Sequence, residues 1–275
     1  MYMLAEKETK EFDNETSISS MQDIIIYEQP LNERIRTFLR LEFLFKQLRY
    51  TFDSETIWDS RIAVSTFIEI LSILSRGDLK TEILKELERQ TTALNRLREA
   101  PNIDYTLLDS ILKNLNGLTE RLVSAEGQLG NELRQNELLK SIIQRSAIPG
   151  GTCDFDLPNY HFWLQQPPEV RHHDLTHWYE SLEALRLSVG ILLQLLRESA
   201  EPETEIATGG ILIKTLDAST PNQLIRVLIS RDLPFYAEIS GGKHRFTVRF
   251  LEPSADGRAK QTTKDIEFKL TCCAL

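Results

Sequence analysis

The clearest chemical pattern in the sequence lies in residues 239–250, which read Ile-Ser-Gly-Gly-Lys-His-Arg-Phe-Thr-Val-Arg-Phe. Arg245 and Arg249 alternate there with Phe246 and Phe250. Because successive side chains of a β-strand point to opposite faces, the alternation predicts a strand with its phenylalanines in the core and both arginines in solvent. Guanidinium groups bind carboxylates in a fixed geometry, so the exposed arginines indicate a binding surface for an acidic partner.

Further cations accompany this strand, although the whole chain has a net charge of -9. Lys243 and His244 precede it after a Gly-Gly turn, and Arg226 lies on another predicted strand. Residues 211–275 contain ten Lys and Arg against seven Asp and Glu, so this segment carries +3 and the rest of the chain -12. Such a separation favours a basic docking face over a general attraction to polyanions.

Three other apolar-rich segments are predicted to form strands beside it: 211–213, 224–229 and 265–270. Residues 252–264 are rich in polar residues and contain Pro and Gly, so they are predicted to form a long hairpin connection. Together these segments predict a small antiparallel sheet with one face in solvent.

The preceding sequence, from about residue 31 to 200, has apolar residues every three or four positions, the spacing of one helix face. The first stripe consists of Phe38, Leu41, Phe45 and Leu48. Further helices are predicted over about 57–74, 79–97, 104–125, 131–146, 158–164 and 173–198.

Capping residues mark the boundary between the second and third of these helices. Gly77 stands where a C-cap glycine ends a helix, and Asp78 can cap the start of the next. Elsewhere Pro101 and the Pro-Gly-Gly run at 149–151 mark helix breaks.

Runs of helices followed by runs of strands predict an α+β protein. An N-terminal α-helical, bundle-like domain is predicted over residues 23–203, and a small antiparallel β domain with a basic face over residues 204–275. Residues 1–22 form an acidic extension with little apolar surface to bury, so they are expected to be disordered.

Residues that could support catalysis or bind metal are few. His173 and His177 lie one helical turn apart beside His172, but no third ligand is placed near them, and a polar helix start explains them. Cys153 precedes His161 by eight residues without a known nucleophile signature around it. The glycine pairs form no phosphate-binding loop. We therefore expect no catalytic residues, no metal site, no cofactor and no enzymatic activity.

Nucleic acid is the alternative partner for the basic face of the β domain. Cations beside aromatic residues occur on sheets that bind single strands. However, Phe246 and Phe250 are predicted on the face opposite the arginines, whereas base stacking needs aromatic side chains in solvent. The sequence pI near 5.2 also argues against nucleic acid.

The bulk composition indicates a soluble intracellular protein. No apolar run reaches the length of about 18 to 20 residues that spans a bilayer, and no signal-peptide pattern precedes the helices, so no membrane association is expected. The three cysteines are too few and too unevenly spaced for a disulfide framework, which favours reduced thiols in the cytoplasm.

Several long blocks, taken together and in order, resemble the ZapD (Z-ring-associated protein D) family. The blocks are residues 27–44, 76–90, 148–151 with 155–158, 239–250 and 267–273. The resemblance covers about residues 21–273, and long blocks in a fixed order are far more specific than a short motif.

The resemblance implies a non-enzymatic cytoplasmic protein that forms a symmetric homodimer, with the helical domain as the dimerisation domain. It implies binding to the C-terminal tail of the tubulin-like division protein FtsZ, and bundling of FtsZ filaments at the mid-cell division ring. No nucleic acid is expected as a partner.

The resemblance also implies roles for individual residues, because each of them matches a functional position of the family. Arg40 and His161 match positions near the dimer interface and the tail-binding groove, whereas Arg76, Arg245 and Arg249 match basic positions that hold FtsZ. Where some relatives have an arginine, this chain has Glu137, and Arg134 one turn earlier could substitute. The full set of predicted FtsZ-binding residues is Arg40, Arg76, Arg134, His161, Arg226, Lys243, Arg245 and Arg249.

Overall fold

The computed structural model describes residues 23–52, 54–99, 103–254 and 257–274. The predicted disordered extension at residues 1–22 lies outside the described residues. The chain forms two compact units, one of them Glu33–Leu195 and the other composed of the residues on either side of it. Helices precede most of the strands, which confirms the predicted α+β class.

The helical unit has nine α-helices within the described residues, and the last two residues of α9 group with the other unit. They are α1 (Glu33–Phe52), α2 (Ile57–Leu74), α3 (Leu79–Arg96), α4 (Tyr105–Ser124), α5 (Asn131–Gln135), α6 (Glu137–Arg145), α7 (Pro158–Leu164), α8 (Pro168–Ser181) and α9 (Glu183–Arg197).

The apolar stripes predicted from the sequence form the core of this unit. Phe38, Leu41, Phe45 and Leu48 of α1 are all buried. Burying each such side chain stabilises the folded state by about 1.5–3 kcal/mol relative to leaving it in water. The helices are therefore held mainly by their apolar faces, which leaves the charged faces free to present side chains to solvent.

Polar side chains define several helix starts. Asp78 accepts a hydrogen bond from the backbone N–H of Thr81 at 3.2 Å, which confirms its predicted role as an N-cap. The prediction for Gly77 was wrong, because α2 ends at Leu74 with Ser75 as its C-cap in a right-handed conformation. Gly77 is not among the glycines with positive φ, so it does not form a left-handed cap.

Two predicted helices are interrupted. The segment 131–146 divides at Asn136, whose side chain accepts a hydrogen bond from the Leu139 N–H at 3.1 Å and so starts α6. The segment 173–198 is the end of α8 followed by α9, and Leu182 lies between them. Its N–H bonds to the Tyr179 carbonyl at 3.1 Å, a tighter turn than an α-helix makes.

The second unit contains the strands. They are β1 (Ile24–Pro30), β2 (Glu203–Ala207), β3 (Ile211–Thr215), β4 (Asn222–Ser230), β5 (Tyr236–Gly241), β6 (Arg245–Glu252), β7 (Lys260–Gln261) and β8 (Ile266–Ala274). All described pairings are antiparallel, in a first sheet of order β1-β4-β8-β2 and a second of order β3-β6-β5, with β7 added to β6.

One apolar core lies between the two sheets. Ile225 and Val227 of β4, Phe246 and Phe250 of β6 and Phe268 of β8 all belong to it. The rings of Phe250 and Phe268 meet edge to face with centroids 5.1 Å apart, a favoured aromatic geometry. The sandwich therefore buries the inner side of β6 and leaves its outer side free.

The structure differs from the predicted domain organisation in three details. A single sheet was expected, whereas two sheets pack together. Strand β1 lies inside the range 23–203 that was assigned to the helical domain, yet it pairs with β4. Strand β2, which was not among the predicted strands, pairs with β8. The helical unit is accordingly Glu33–Leu195, shorter than predicted at both ends.

Candidate partner-binding surfaces

The basic strand belongs to a tight hairpin formed by β5 and β6. The N–H of Gly242 donates to the carbonyl of Arg245 at 3.0 Å, which places Lys243 and His244 at the tip. At the base of the turn Gly241 packs so closely that an added Cβ would lie 2.9 Å from the Cβ of Phe246. Glycine is therefore required here by space, and the hairpin presents a lysine and a histidine at its tip.

The predicted alternation along β6 is confirmed. Phe246, Val248 and Phe250 are at most 1% exposed, whereas Arg245 and Arg249 are exposed. The inner side chains fix the orientation of the strand, and the two arginines consequently share the outer side of the second sheet.

Strand register adds neighbours on both sides of these arginines. Directly paired residues of antiparallel strands share a face, so β3 contributes residues beside Arg245 and Arg249, and so does β5. We call this surface the outer face. Its residues are Ile211, Ile213 and Thr215 of β3, Arg245, Thr247 and Arg249 of β6, and Glu238 and Ser240 of β5.

An apolar side chain lies among the cations of the outer face. Ile213 pairs with Thr247, between the two arginines, and remains 63% exposed. The sequence had indicated a strand at this point but not its register, so the contribution of Ile213 to the surface was missed. The outer face can therefore contact both carboxylates and apolar side chains of a partner.

The two arginines of the outer face differ in their surroundings. Arg249 forms an ion pair with Glu238 on the neighbouring strand. Within the described part of the chain, the side chains of Arg245 and Lys243 form no ion pair. Among the described residues, Arg245 and Lys243 therefore keep unpaired charges, whereas Glu238 partly offsets the charge of Arg249.

Arg226 lies on β4 in the first sheet and not on the outer face. Its Nε donates to the Glu28 carboxylate at 3.0 Å, and Arg197 binds the same carboxylate at 2.8 Å through both Nε and Nη2. All three side chains are at least four-fifths buried. Arg226 therefore ties β4 to β1, and its guanidinium is already occupied.

Four predicted residues belong to the helical unit. Arg40 on α1, Arg76 in the turn after α2 and His161 on α7 are exposed. No ion pair of Arg40 or Arg76 occurs among the described residues. These three side chains are available to a partner.

Arg134, by contrast, is half-buried and directed inward. It donates to the backbone carbonyls of Leu129 at 3.1 Å and of Leu71 at 3.4 Å, near the end of α2. Burial lowers the pKa of its guanidinium from the ordinary value. Glu137 is exposed and pairs with Lys140 at 3.3 Å. In this geometry Arg134 braces a helix end, and its predicted role as a substitute for an arginine at position 137 stays a prediction.

A groove of about 1010 Å³ runs beside α2 within the helical unit. Its apolar lining is Val64, Ile68, Leu71, Ile142, Ile143 and Ile148. Arg61, also in the lining, lies over the rings of Trp58 and Tyr160, with its guanidinium carbon 5.6 and 5.1 Å from their centroids. Burial raises the pKa of Tyr160 to about 12, so its phenol stays neutral beside this cation.

The alternative functions find little support in the side-chain geometry. Phe246 and Phe250 face the sandwich core, so they are unavailable to stack on bases. His177 contacts Glu132 at 3.0 Å, and His172 lies edge-on to Phe52. Across the described residues, no three His, Cys, Asp or Glu side chains lie close enough to bind a metal ion. No helix in that part of the chain is long and apolar enough to cross a bilayer.

Comparison with known proteins gives consistent matches. A family model described as ZapD, cell division protein, matches residues 39–249. The chain is 44% identical over 255 residues to the cell division protein ZapD of Methylococcus capsulatus, covering 93% of this chain and 100% of the relative. It is 40% identical over 252 residues to that of Azoarcus sp. (92% and 100% covered). The identity to that of Cupriavidus taiwanensis is 41% over 251 residues (91% and 99% covered).

Proposed function

Because this chain belongs to the ZapD family of cell division proteins, we propose that it is a non-enzymatic homodimer that binds the C-terminal tail of FtsZ. By binding tails on different filaments, the dimer bundles FtsZ and stabilises the division ring. It acts in the cytoplasm and is recruited to mid-cell. Neither a metal ion nor a cofactor takes part.

One observation carries the proposal: Arg245 and Arg249 share a solvent-exposed face with Ile213 between them. An extended peptide with acidic and apolar side chains complements such a surface, because carboxylates bind the guanidinium groups and an apolar side chain covers the isoleucine. Lys243 at the hairpin tip extends the cationic area. Packing of the inner side chains already fixes the strand that carries the arginines, so only the pairing of Arg249 with Glu238 has to open for a carboxylate to bind.

The helical unit contributes Arg40, Arg76 and His161 in this proposal. All three are exposed. The family resemblance implies that Arg76 holds FtsZ and that Arg40 and His161 lie near the dimer interface and the tail-binding groove. Arg134 and Arg226 act indirectly, because the first braces the end of α2 and the second pairs with Glu28. Their loss would affect binding through the fold and not through a contact.

Low affinity at each single site is compatible with filament bundling, because a dimer binds through two linked sites. An exposed ion pair contributes only about 0.2–1 kcal/mol, so a few such contacts give modest, salt-sensitive affinity for a tail that must also be ordered. A two-fold dimer offers two sites, and a filament offers one tail per subunit. Linked sites gain roughly 10² to 10⁴ in apparent affinity, so the dimer holds filaments although each contact is weak.

Sedimentation with polymerised FtsZ tests this function. The protein is expected to pellet with full-length filaments and to stay in the supernatant with filaments that lack the C-terminal tail. Equal pelleting with both would place the binding site on the FtsZ core, and pelleting with neither would remove FtsZ as the partner. An electrophoretic mobility shift with DNA at physiological salt, expected to be negative, tests the nucleic-acid alternative.

A further inference from the structure

Strand β3 forms an edge of the second sheet. It pairs with β6 on one side, and on its other side the described residues provide only a single bridge, from Thr208 to Ile211. Proteins commonly block a sheet edge with a proline or a bulge, and β3 has neither. This edge can therefore pair with a further strand.

Two hydrogen bonds determine which residues of β3 bond to β6. The N–H of Leu216 donates to the His244 carbonyl at 2.8 Å, and the N–H of Phe250 donates to the Gly210 carbonyl at 2.9 Å. Both bonds follow the register of the β3–β6 pair, in which hydrogen-bonded and non-hydrogen-bonded residue pairs alternate. The even-numbered residues of β3 therefore bond to β6, and the odd-numbered residues direct their N–H and C=O groups away from it.

Ile213 and Thr215 present these outward backbone groups to solvent. Ile213 is 63% exposed, Thr215 is also exposed, and no backbone group among the described residues bonds to the outward groups of either. Ile211 differs from them, because its N–H donates to the Thr208 carbonyl at 3.2 Å. The free edge thus offers two donors and two acceptors, and the backbone of an extended chain is the partner that satisfies all four.

A strand added beside β3 presents alternate side chains to the outer face. Residues that pair directly in antiparallel strands share a face, so the side chain opposite Ile213 packs against that isoleucine. The residue opposite Thr215 lies two strands from Arg245, a distance of about 10 Å. An arginine and a glutamate side chain together bridge this distance over the short threonine. The edge therefore favours a segment in which an apolar residue follows an acidic residue two positions later.

The charge of the outer face argues against a second copy of this chain as the added strand. Two-fold pairing of β3 with itself would join two outer faces into one surface. Arg245 and Arg249 of both copies would then share that surface, and like charges repel. An acidic segment instead brings the opposite charge to the same place.

We propose that an acidic, extended peptide binds by adding an antiparallel strand to β3, with its backbone on Ile213 and Thr215 and an acidic side chain directed to Arg245. The identification of this peptide as the FtsZ tail rests on the proposed function, whereas the edge and the side-chain pattern that it favours do not. Main-chain hydrogen bonds supply affinity in this mode of binding, and alternate side chains supply specificity.

Hydrogen exchange resolved by NMR tests the contact in the full chain. Saturation with an FtsZ-tail peptide is expected to slow exchange of the Ile213 and Thr215 amides by about 10-fold or more, because both become hydrogen-bonded. The amides of Leu212 and Lys214 already bond to β6 and should change little. Unchanged exchange at Ile213 and Thr215 under saturation would overturn the proposal, and so would protection that depends on protein concentration without peptide, which would indicate a second copy.

Proline substitution tests the same edge through affinity. T215P removes one outward N–H and leaves the bonds to β6, since edge strands tolerate proline in this orientation. Its affinity for the tail peptide is expected to fall by about 3-fold to 10-fold, the value of one hydrogen bond. T215V is the matched control, because it keeps the N–H and the β-branched shape, and it should bind like wild type. Equal affinity of T215P and T215V would overturn strand addition.

A designed peptide separates this proposal from the proposed function. The peptide Glu-Thr-Val-Thr-Glu has the favoured alternation, and Glu-Glu-Val-Thr-Thr has the same composition without it. At millimolar concentration, only the first is expected to slow exchange at Ile213 and Thr215. If the FtsZ-tail peptide failed to bind wild type while the designed peptide protected these amides, the proposed function would fall and the strand-binding edge would stand. If the tail peptide bound without protecting them, the edge would fall and the proposed function would stand.

Discussion

Oε1 of Glu28 accepts a 3.0 Å hydrogen bond from Nε of Arg226, across the paired strands β1 and β4. The same carboxylate binds Arg197 at the end of α9, so one acidic side chain holds two cations in a largely buried position. The sequence had indicated Arg226 as part of a partner-binding set. Its pairing instead indicates a role in attaching β1 to the sandwich, and this difference can be measured.

Replacing Arg226 with Met is expected to lower the free energy of unfolding by about 1.5–3 kcal/mol, because a charge-assisted hydrogen bond to a mostly buried carboxylate is lost. The aliphatic stem is retained, and Arg197 still neutralises Glu28. Tail affinity of the folded variant should be unchanged. Denaturant unfolding and fluorescence anisotropy measure the two effects separately.

A double-mutant cycle with Glu28→Gln should show coupling between the two positions, and K269M serves as an exposed control. If R226M kept its stability but lost tail affinity, Arg226 would contact the partner directly.

Charge reversal on the outer face should weaken tail binding while leaving the fold intact. R245E/R249E removes two attractions and adds two repulsions, and we expect an affinity loss of about 5-fold to 30-fold at low salt. The difference from wild type should shrink as salt screens the charges. Anisotropy of a labelled tail peptide across a salt series measures this.

A control for this reversal is K269E, which reverses one charge at an exposed position of the first sheet, whereas R245E/R249E reverses two. An equal loss in K269E would indicate a net-charge effect, and unchanged binding in R245E/R249E would remove the outer face from the mechanism.

Neutralising Glu238 should strengthen tail binding, whereas reversing Arg245 and Arg249 should weaken it. Glu238 pairs with Arg249, so a tail that binds as proposed displaces it. Glu238→Gln is expected to raise tail affinity by about 1.5-fold to 5-fold, the value of one exposed ion pair. Glu267→Gln removes the same charge from an exposed position on β8 and is the control. A fall in affinity in E238Q would mean that Glu238 orients Arg249 instead of competing for it.

Sequence reasoning succeeded where local periodicity determines the structure. The apolar spacing predicted the helices around Phe38 and Phe67, and the alternation at β6 predicted outward arginines. Long-range pairing was missed: β1 has no clear alternation, and its partner β4 lies about two hundred residues away. The same limit applies to the site, because the neighbours of Arg249, namely Glu238 and Ile211, follow from register and not from their own sequence.

The adjacent thiols near the end of the chain should be unreactive in the folded protein. Cys273 is fully buried, and burial raises its pKa to about 11. Burial also raises the pKa of Cys272. Since the thiolate is the reactive form, alkylation at neutral pH should label Cys273 only after denaturation. Mass spectrometry of native and denatured samples measures this, and rapid native labelling of Cys273 would contradict its burial.

The same shift predicts a pH dependence of stability. In the unfolded chain this cysteine has its ordinary pKa of about 9, which burial in the folded chain raises to about 11. Between these pH values the unfolded state binds fewer protons than the folded state, so the free energy of unfolding falls as the pH rises. Below this window the thiol is protonated in both states, and no stability is lost through Cys273. Cys273→Ala, which has no thiol to ionise, should lose less stability than wild type between these pH values.

Bundling should depend on dimerisation, whereas tail binding should not. In the proposed homodimer each chain has its own outer face, so under that proposal a monomer binds one tail but cannot join two filaments. Exposed apolar residues of the helical unit, Trp58, Phe155 and Phe162, are suitable positions for single Glu substitutions that break the dimer. A variant that sedimentation shows to be monomeric should bind tail peptide with wild-type affinity but fail to bundle filaments in light scattering. Fusing a dimeric coiled coil to that variant should restore bundling, because any two-fold link supplies the missing valency. A verified monomer that still bundles filaments would show that one chain carries two separate filament contacts.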